Sequence, residues 1–305
     1  MEIIVGSFDN IKRIDLYLSA KFFDLSRSSI VKLLESGKIL VNGEKILKKY
    51  IPVPGDIIQI NLDNGECDEN NIQPENIPID IIYEDNYLMV VNKPKGMVVH
   101  PAPGHFSGTL VNALMFYTSN LSDINSKIRP GIVHRIDKDT SGLLLIAKNN
   151  FVHENLASQI KNKTAKREYL GIVHGTFKVQ SGKIDLPIGR DPKNRKKMAV
   201  TDKNSKNAIT HYEVLESIKS YSYVKFSLET GRTHQIRVHM SKIGHPLAGD
   251  IIYGARNDPK FLNGQCLHAR KIKFIHPISN KMMEFTSDLP DEFIKLIDFV
   301  GFKTL

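Results

Sequence analysis

Apolar positions along the chain mark out two regions. Near the start, Ile11, Ile14 and Leu18 recur at helical spacing. Ile30, Leu33 and Leu34 do so again, with Ser26 as a candidate N-cap and Gly37 as a stop. Residues 39–41 then read as a strand, Asn42-Gly43 as a tight hairpin turn, and 57–60 as a further strand. This pattern predicts two short helices on a small sheet over residues 1–62. Residues 63–78 are polar and turn-forming and read as an interdomain linker. The remainder, 79–305, reads as one larger domain. Its strands are expected at 87–91, 143–147, 169–173 and 221–228, and its helices at 152–160 and 235–243. In 221–228, Ser222, Val224, Phe226 and Leu228 alternate with a more polar set, so they are expected on the buried face. Strands and helices do not alternate regularly. The expected class is α+β, with a mixed, mainly antiparallel central sheet.

Composition narrows the function. The chain has 305 residues, 41% hydrophobic and 25% charged, which is a globular balance rather than a disordered one. No apolar run reaches the roughly 18 residues of a membrane span. Cys67 and Cys266 stand far apart without a CxxC partner, which argues against a disulfide framework and a cysteine zinc site. The first ten residues show no basic stretch followed by an apolar core, and a reducing cytoplasm is the expected location. Lys and Arg number 42 against 33 Asp and Glu, a net of +9. Residues 161–237 alone carry 17 against 7, a net of +10. Two clusters lie there: Lys161, Lys163, Lys166 and Arg167, and then Lys193, Arg195, Lys196 and Lys197 after Asp191-Pro192. They read either as a solvated face or as a surface that neutralises phosphates. A smaller basic stretch, residues 12–49, has 9 positive and 4 negative residues.

Four stretches are dense in polar residues. Asn92-Lys93-Pro94-Lys95-Gly96 follows an apolar strand and is by itself an ordinary turn. His134-Arg135-Ile136-Asp137-Lys138-Asp139-Thr140-Ser141-Gly142 runs into the strand at 143. Asp137, an acid between two cations at the edge of a sheet, is a candidate nucleophile or base, and a salt-bridged turn would read the same way. Tyr169, after Lys166-Arg167-Glu168, is either a core aromatic or a platform for a base. In Thr230 to Met240 a strand turns into a helix. Arg232 and Arg237 fall where the helix dipole disfavours cations, which reads either as a pair of solvated surface arginines or as a sign of an anionic partner, a carboxylate or a phosphate. Arginine grips a carboxylate with an oriented pair of hydrogen bonds, and Arg237 is expected to orient Asp137. There is no GxxxxGK[ST] loop, strand-linked GxGxxG, GxSxG elbow or HExxH helix. The expected site uses a carboxylate, with no metal and no cofactor.

Taken together, HRIDKDTSGLLLIAKN, Asn92 to Gly96, KREYLGIVHG and TGRTHQIRVHMSKIGHPLAGD closely resemble the RluA family of RNA pseudouridine synthases. The N-terminal helices with Ser26-Arg27, Gly37, Val41-Asn42-Gly43 and Gly55-Asp56 resemble the small RNA-binding S4 domain. Val99-His100-Pro101-Ala102-Pro103-Gly104 with residues 108–114 looks most like the RluD branch, which modifies large-subunit ribosomal RNA. The resemblance implies a pseudouridine synthase catalytic domain that detaches uracil from ribose, rotates it and rejoins it through carbon, without a cofactor. It implies Asp137 as the catalytic aspartate, although Ile136 stands where Leu is usual. It further implies Tyr169 as the residue packed on the base, Arg237 as the partner of the aspartate, and Arg135 as the side chain that fills the gap left by the flipped uridine. Arg232, His234, Lys93, Arg27 and Arg13 are expected RNA contacts. The expected partner is ribosomal RNA or a pre-ribosomal large subunit, with no membrane, and the chain is expected to be a monomer. A catalytically idle ribosome-assembly factor and the same chemistry on transfer RNA are the alternatives.

Overall fold

The computed structural model describes residues 2–7, 13–22, 27–61, 72–102, 105–124, 129–194, 197–254 and 258–303. The chain divides into two compact units, Met1–Asp68 and Glu69–Leu305. Ile11, Ser26, Cys67, Pro103, Gly104, Arg195 and Lys196 lie outside the described residues.

The first unit comprises β1 (Glu2–Ile4), α1 (Ile14–Lys21), α2 (Arg27–Ser36), β2 (Ile39–Val41), β3 (Glu44–Lys45) and β4 (Ile57–Ile60). Its strands form an antiparallel sheet in the order β1-β4-β2-β3. Ile14, Leu18, Ile30, Leu34, Ile39, Val41, Ile58 and Ile60 make one core, as the two periods predict. Asn42-Gly43 closes the β2–β3 hairpin with both residues at positive φ, 52° and 82°. Asp56, just before β4, is buried. It accepts from Asn42 Nδ2 at 2.9 Å, Tyr50 Oη at 2.8 Å and the Val53 amide at 2.9 Å.

The second unit is larger. It runs β5 (Asp80–Glu84), β6 (Leu88–Lys93), α3 (Leu110–Tyr117), β7 (Ser141–Ala147), α4 (Asn150–Lys161), β8 (Lys166–His174), β9 (Ser181–Asp185), β10 (Ile188–Arg190) and β11 (Met198–Val200). It continues with β12 (Ile209–Ile218), β13 (Tyr221–Leu228), α5 (Gln235–Lys242), β14 (Leu267–Ile275), β15 (Met282–Thr286) and α6 (Asp291–Val300). The main sheet has the order β5-β6-β7-β14-β8-β13-β12-β9, with β15 on β14, and β10-β11 form a separate hairpin. Among the described residues, only β7 and β14 pair in parallel, so the sheet is mixed and mainly antiparallel.

The central strand β7 is buried at all seven positions, which explains its continuous apolar run. On one face, Leu144 and Ile146 join Met89, Val91, Val224 and Phe226 beneath residues of α3 and α5. On the other, Leu143 and Leu145 meet Val152 and Leu156 of α4. Each such side chain contributes about 2 kcal/mol of hydrophobic stabilisation. Strand β13 departs from the one-sided pattern expected for it. Tyr223 is 1% exposed because α6 covers that face with Phe293, Leu296 and Ile297.

The stretch read as a linker is not uniform. From Ile72 onward it is part of the second unit, and Ile72 packs on that unit's core. The Glu75 amide donates to Asn112 O at 3.0 Å, and Asn112 Nδ2 donates to Gln73 O at 2.8 Å. At the start of β7, Gly142 has φ 114°, and a Cβ there would lie 2.4 Å from Ala269 O. Only glycine lets the loop carrying Asp137 enter the sheet this close to β14.

Candidate active site

The loop before β7 is pinned at several points. The Leu145 amide donates to His134 Nε2 at 3.1 Å, and the Gly96 amide donates to Lys138 O at 2.9 Å. Gln265 Nε2 donates to Thr140 Oγ1 at 3.0 Å. Ile136 is buried in the main core. With both neighbours held, Asp137 presents a carboxylate that is 16% exposed.

The opposite wall is the turn from β13 into α5. Gln235, the first residue of α5, accepts from the Arg232 amide at 3.0 Å and from Thr230 Oγ1 at 2.7 Å. It also donates to Ile209 O at 2.9 Å and Thr210 Oγ1 at 3.0 Å. His234 takes the left-handed conformation at φ 57°, and its Nδ1 lies 2.7 Å from Tyr253 Oη. Arg237 follows in the first turn of α5. Its Nε donates to Asp250 Oδ2 at 2.7 Å, its Nη2 to Asp250 Oδ1 at 2.9 Å, and its Nη1 to Asp137 Oδ2 at 3.1 Å. Tyr253 lies against the same guanidinium, 5.0 Å from ring centroid to Cζ. Burial disfavours the Arg237 cation, but the Asp250 and Asp137 carboxylates more than reverse this, so it stays charged. Tyr169 completes the cleft. It is 5% exposed, and burial pushes its phenol up, keeping it protonated near neutral pH. Burial also pushes the His234 imidazole down, towards the neutral form.

A family model described as RNA pseudouridylate synthase matches residues 87–242, and one described as S4 domain matches residues 12–58. The chain is 49% identical over 287 residues to the uncharacterized RNA pseudouridine synthase YlyB of Bacillus subtilis, covering 94% of this chain and 93% of that protein. This chain belongs to the RluA family of RNA pseudouridine synthases and carries an N-terminal S4 domain. The synthase is also 42% identical to the ribosomal large subunit pseudouridine synthase D of Neisseria meningitidis serogroup A, over 93% of this chain and 78% of that one. The corresponding protein of Zymomonas mobilis is 42% identical, over 92% of this chain and 91% of that one. Among solved structures, human RNA pseudouridylate synthase domain containing 1 shares the fold, with a TM-score of 0.56 and 23% identity over 74% of this chain and 96% of that chain. Among the described residues, no helix is long and apolar enough to cross a membrane.

In this synthase, Asp137, Tyr169, Arg237, Arg135, Arg232 and His234 line one cleft. Lys93 does not join them, and the expectation that it touches RNA is corrected. It is 1% exposed, and its Nζ donates to Pro94 O at 2.6 Å, Met97 O at 2.8 Å and Lys138 O at 3.0 Å. A buried ammonium with its donors on three carbonyls is a fastener for the Asp137 loop. Arg13 and Arg27 lie in the S4 unit, where both grip buried Asp15, at 3.0 Å and 2.8 Å. Asp250 and Tyr253 were not among the residues expected from the sequence. A usable signal existed for Asp250. It is the only carboxylate between Glu229 and Asp258, and a buried arginine at a helix start needs more acceptors than one distant aspartate supplies. Arg167, placed by its sequence among a cluster of surface cations, is buried at 6% exposure and lines the cleft.

Proposed function

We propose that this synthase isomerises uridines in large-subunit ribosomal RNA and that Asp137 is its catalytic aspartate. One observation carries the assignment of the aspartate. The Asp137 carboxylate lies 3.1 Å from Arg237 Nη1, in the same cleft as the buried ring of Tyr169. A carboxylate fixed by a guanidinium is pre-aimed at whatever enters beside it.

The target base has to leave its stack to reach Asp137, which costs a few kcal/mol and least in loops. Tyr169 offers that base a flat apolar face. Arg135, exposed at the rim of the cleft, takes the space that the displaced uridine vacates. Arg232 and the exposed lysines of residues 161–237 meet backbone phosphates. In the S4 unit, Arg13 and Arg27 keep 43% and 53% of their side chains exposed while held on Asp15, so they reach RNA with their positions already fixed.

Ribosomal RNA as the target is supported by relatives named for the large ribosomal subunit at 38–42% identity. Pseudouridine mapping of total RNA from cells with and without this protein tests it. The expected result is loss of specific sites in large-subunit ribosomal RNA alone. Loss confined to transfer RNA would overturn the target, and no loss in any RNA would overturn the function.

A further inference from the structure

Arg167 carries a full charge at 6% exposure, and its Nε has no hydrogen-bond partner among the described residues. No described carboxylate pairs with it. Asp137 and Asp250 are both engaged by Arg237. Arg167 and Tyr169 stand two apart on β8, so both leave the strand on the same face, and both line the cleft. Gly231, in the facing turn, makes room for the guanidinium, since a Cβ there would lie 3.1 Å from Arg167 Nη1. A buried cation without a counter-ion is costly to fold around. It is retained where a ligand brings the negative charge. The position selects which charge. Backbone phosphates run over the surface, whereas a group this deep beside Tyr169 meets the inserted base.

We propose that Arg167 is a catalytic residue that receives the negative charge developing on the uracil oxygens as the base detaches from ribose. The proposal rests on the cleft being where uridine reacts. When the bond between C1′ and uracil N1 breaks, its electron pair stays with the base and spreads from N1 to O2 and O4. The planar guanidinium offers paired N–H donors to that charge. Carbon 5 then gives an electron pair to C1′, its proton leaves and N1 takes up a proton, so the product is an isomer and nothing else is consumed. The uracil oxygens are neutral in the bound ground state. The contact therefore strengthens only as the bond breaks, and it acts on rate rather than on affinity.

The test uses the full chain, RNA tritiated at uridine carbon 5, and the variants Arg167→Met and Arg167→Lys. The single-turnover rate of tritium release should fall by about 10²- to 10³-fold in Arg167→Met, the scale of losing one oxyanion donor. RNA affinity should stay within about threefold, and Arg167→Lys should recover part of the rate. The thermal midpoint of Arg167→Met should equal or exceed that of the wild type, because an unpaired buried charge has been removed. A merely structural arginine would lower the midpoint, and that result overturns the proposal. So does a loss of affinity that matches the loss of rate, which marks a phosphate contact, and so does an undiminished rate. If the wild type itself releases no tritium, the reading of the cleft falls first and this proposal with it.

Discussion

Arg237 holds Asp250 with two hydrogen bonds, at 2.7 Å and 2.9 Å, and reaches Asp137 with its remaining terminal nitrogen. The side chain of Asp250 is fully buried, whereas that of Asp137 is 16% exposed. One carboxylate anchors the guanidinium and the other is left facing the cleft.

Lysine cannot span this arrangement. Arg237→Lys keeps the charge but loses the planar fork that satisfies two carboxylates at once. Single-turnover pseudouridine formation should fall roughly a hundredfold, the scale of losing one or two charge-assisted bonds, with RNA affinity in a gel-shift titration unchanged. Weakened binding at an unchanged rate would show that Arg237 serves RNA contact instead.

Asp250→Asn removes the negative charge but keeps the side-chain shape. It leaves Arg237 with one full counter-charge in place of two, in a buried setting. Breaking a buried pair costs about 3 kcal/mol or more, and urea denaturation should show a loss of this order. A variant as stable as the wild type would mean that the clamp is not formed.

Acid should destabilise the protein through its buried histidines. Burial pushes His268 down to about 4 and His134 down to about 3. In the unfolded chain such rings take up a proton near about pH 6.5. Below that pH the unfolded chain binds more protons than the folded one, so stability falls as pH drops from about 6.5 to about 4. Each ring contributes up to about 1.4 kcal/mol per pH unit in this window. His268 lies between Ser141 Oγ and Ser287 Oγ, each at 2.9 Å. His268→Gln should remove one ring's share of the slope in urea titrations between about pH 4.5 and 7. An unchanged slope would contradict the burial assigned to this ring.

Lys93→Met should reduce folding stability by about 1–3 kcal/mol, the cost of leaving buried carbonyls without their donor. The slope of log affinity for RNA against log salt should not change, because Lys93 neutralises no phosphate. A slope smaller by about one would restore the lysine to the RNA interface.

The parts of the fold that were legible in the sequence are those with one dominant period. The apolar run of β7 and the helix starting at Gln235 stand where the pattern puts them. Strand β14 was not anticipated because Lys271 and Lys273 face outward beside Arg270 and dilute its apolar signal. Residues 72–78 have a linker's composition, and they dock through backbone hydrogen bonds and Ile72, which a polar average hides. At the site, the stretches around Asp137, Tyr169 and Arg237 were visible as motifs. The burial of Lys93 and Arg167 was not, since a basic residue in a basic stretch reads as solvated until the strand facing is known. Asp250 joins Arg237 of α5 through the loop after it, and the only sequence pointer to it is the need of a buried arginine for more acceptors than Asp137 supplies.

The most direct test replaces the Asp137 carboxylate and follows the proton on carbon 5. Wild-type protein and Asp137→Asn are incubated with large-subunit ribosomal RNA tritiated at uridine carbon 5, and RNA binding is measured in parallel. Release of tritium by the wild type and its abolition in Asp137→Asn, with affinity retained, is the expected result. Continued release by Asp137→Asn would show that another group drives the reaction.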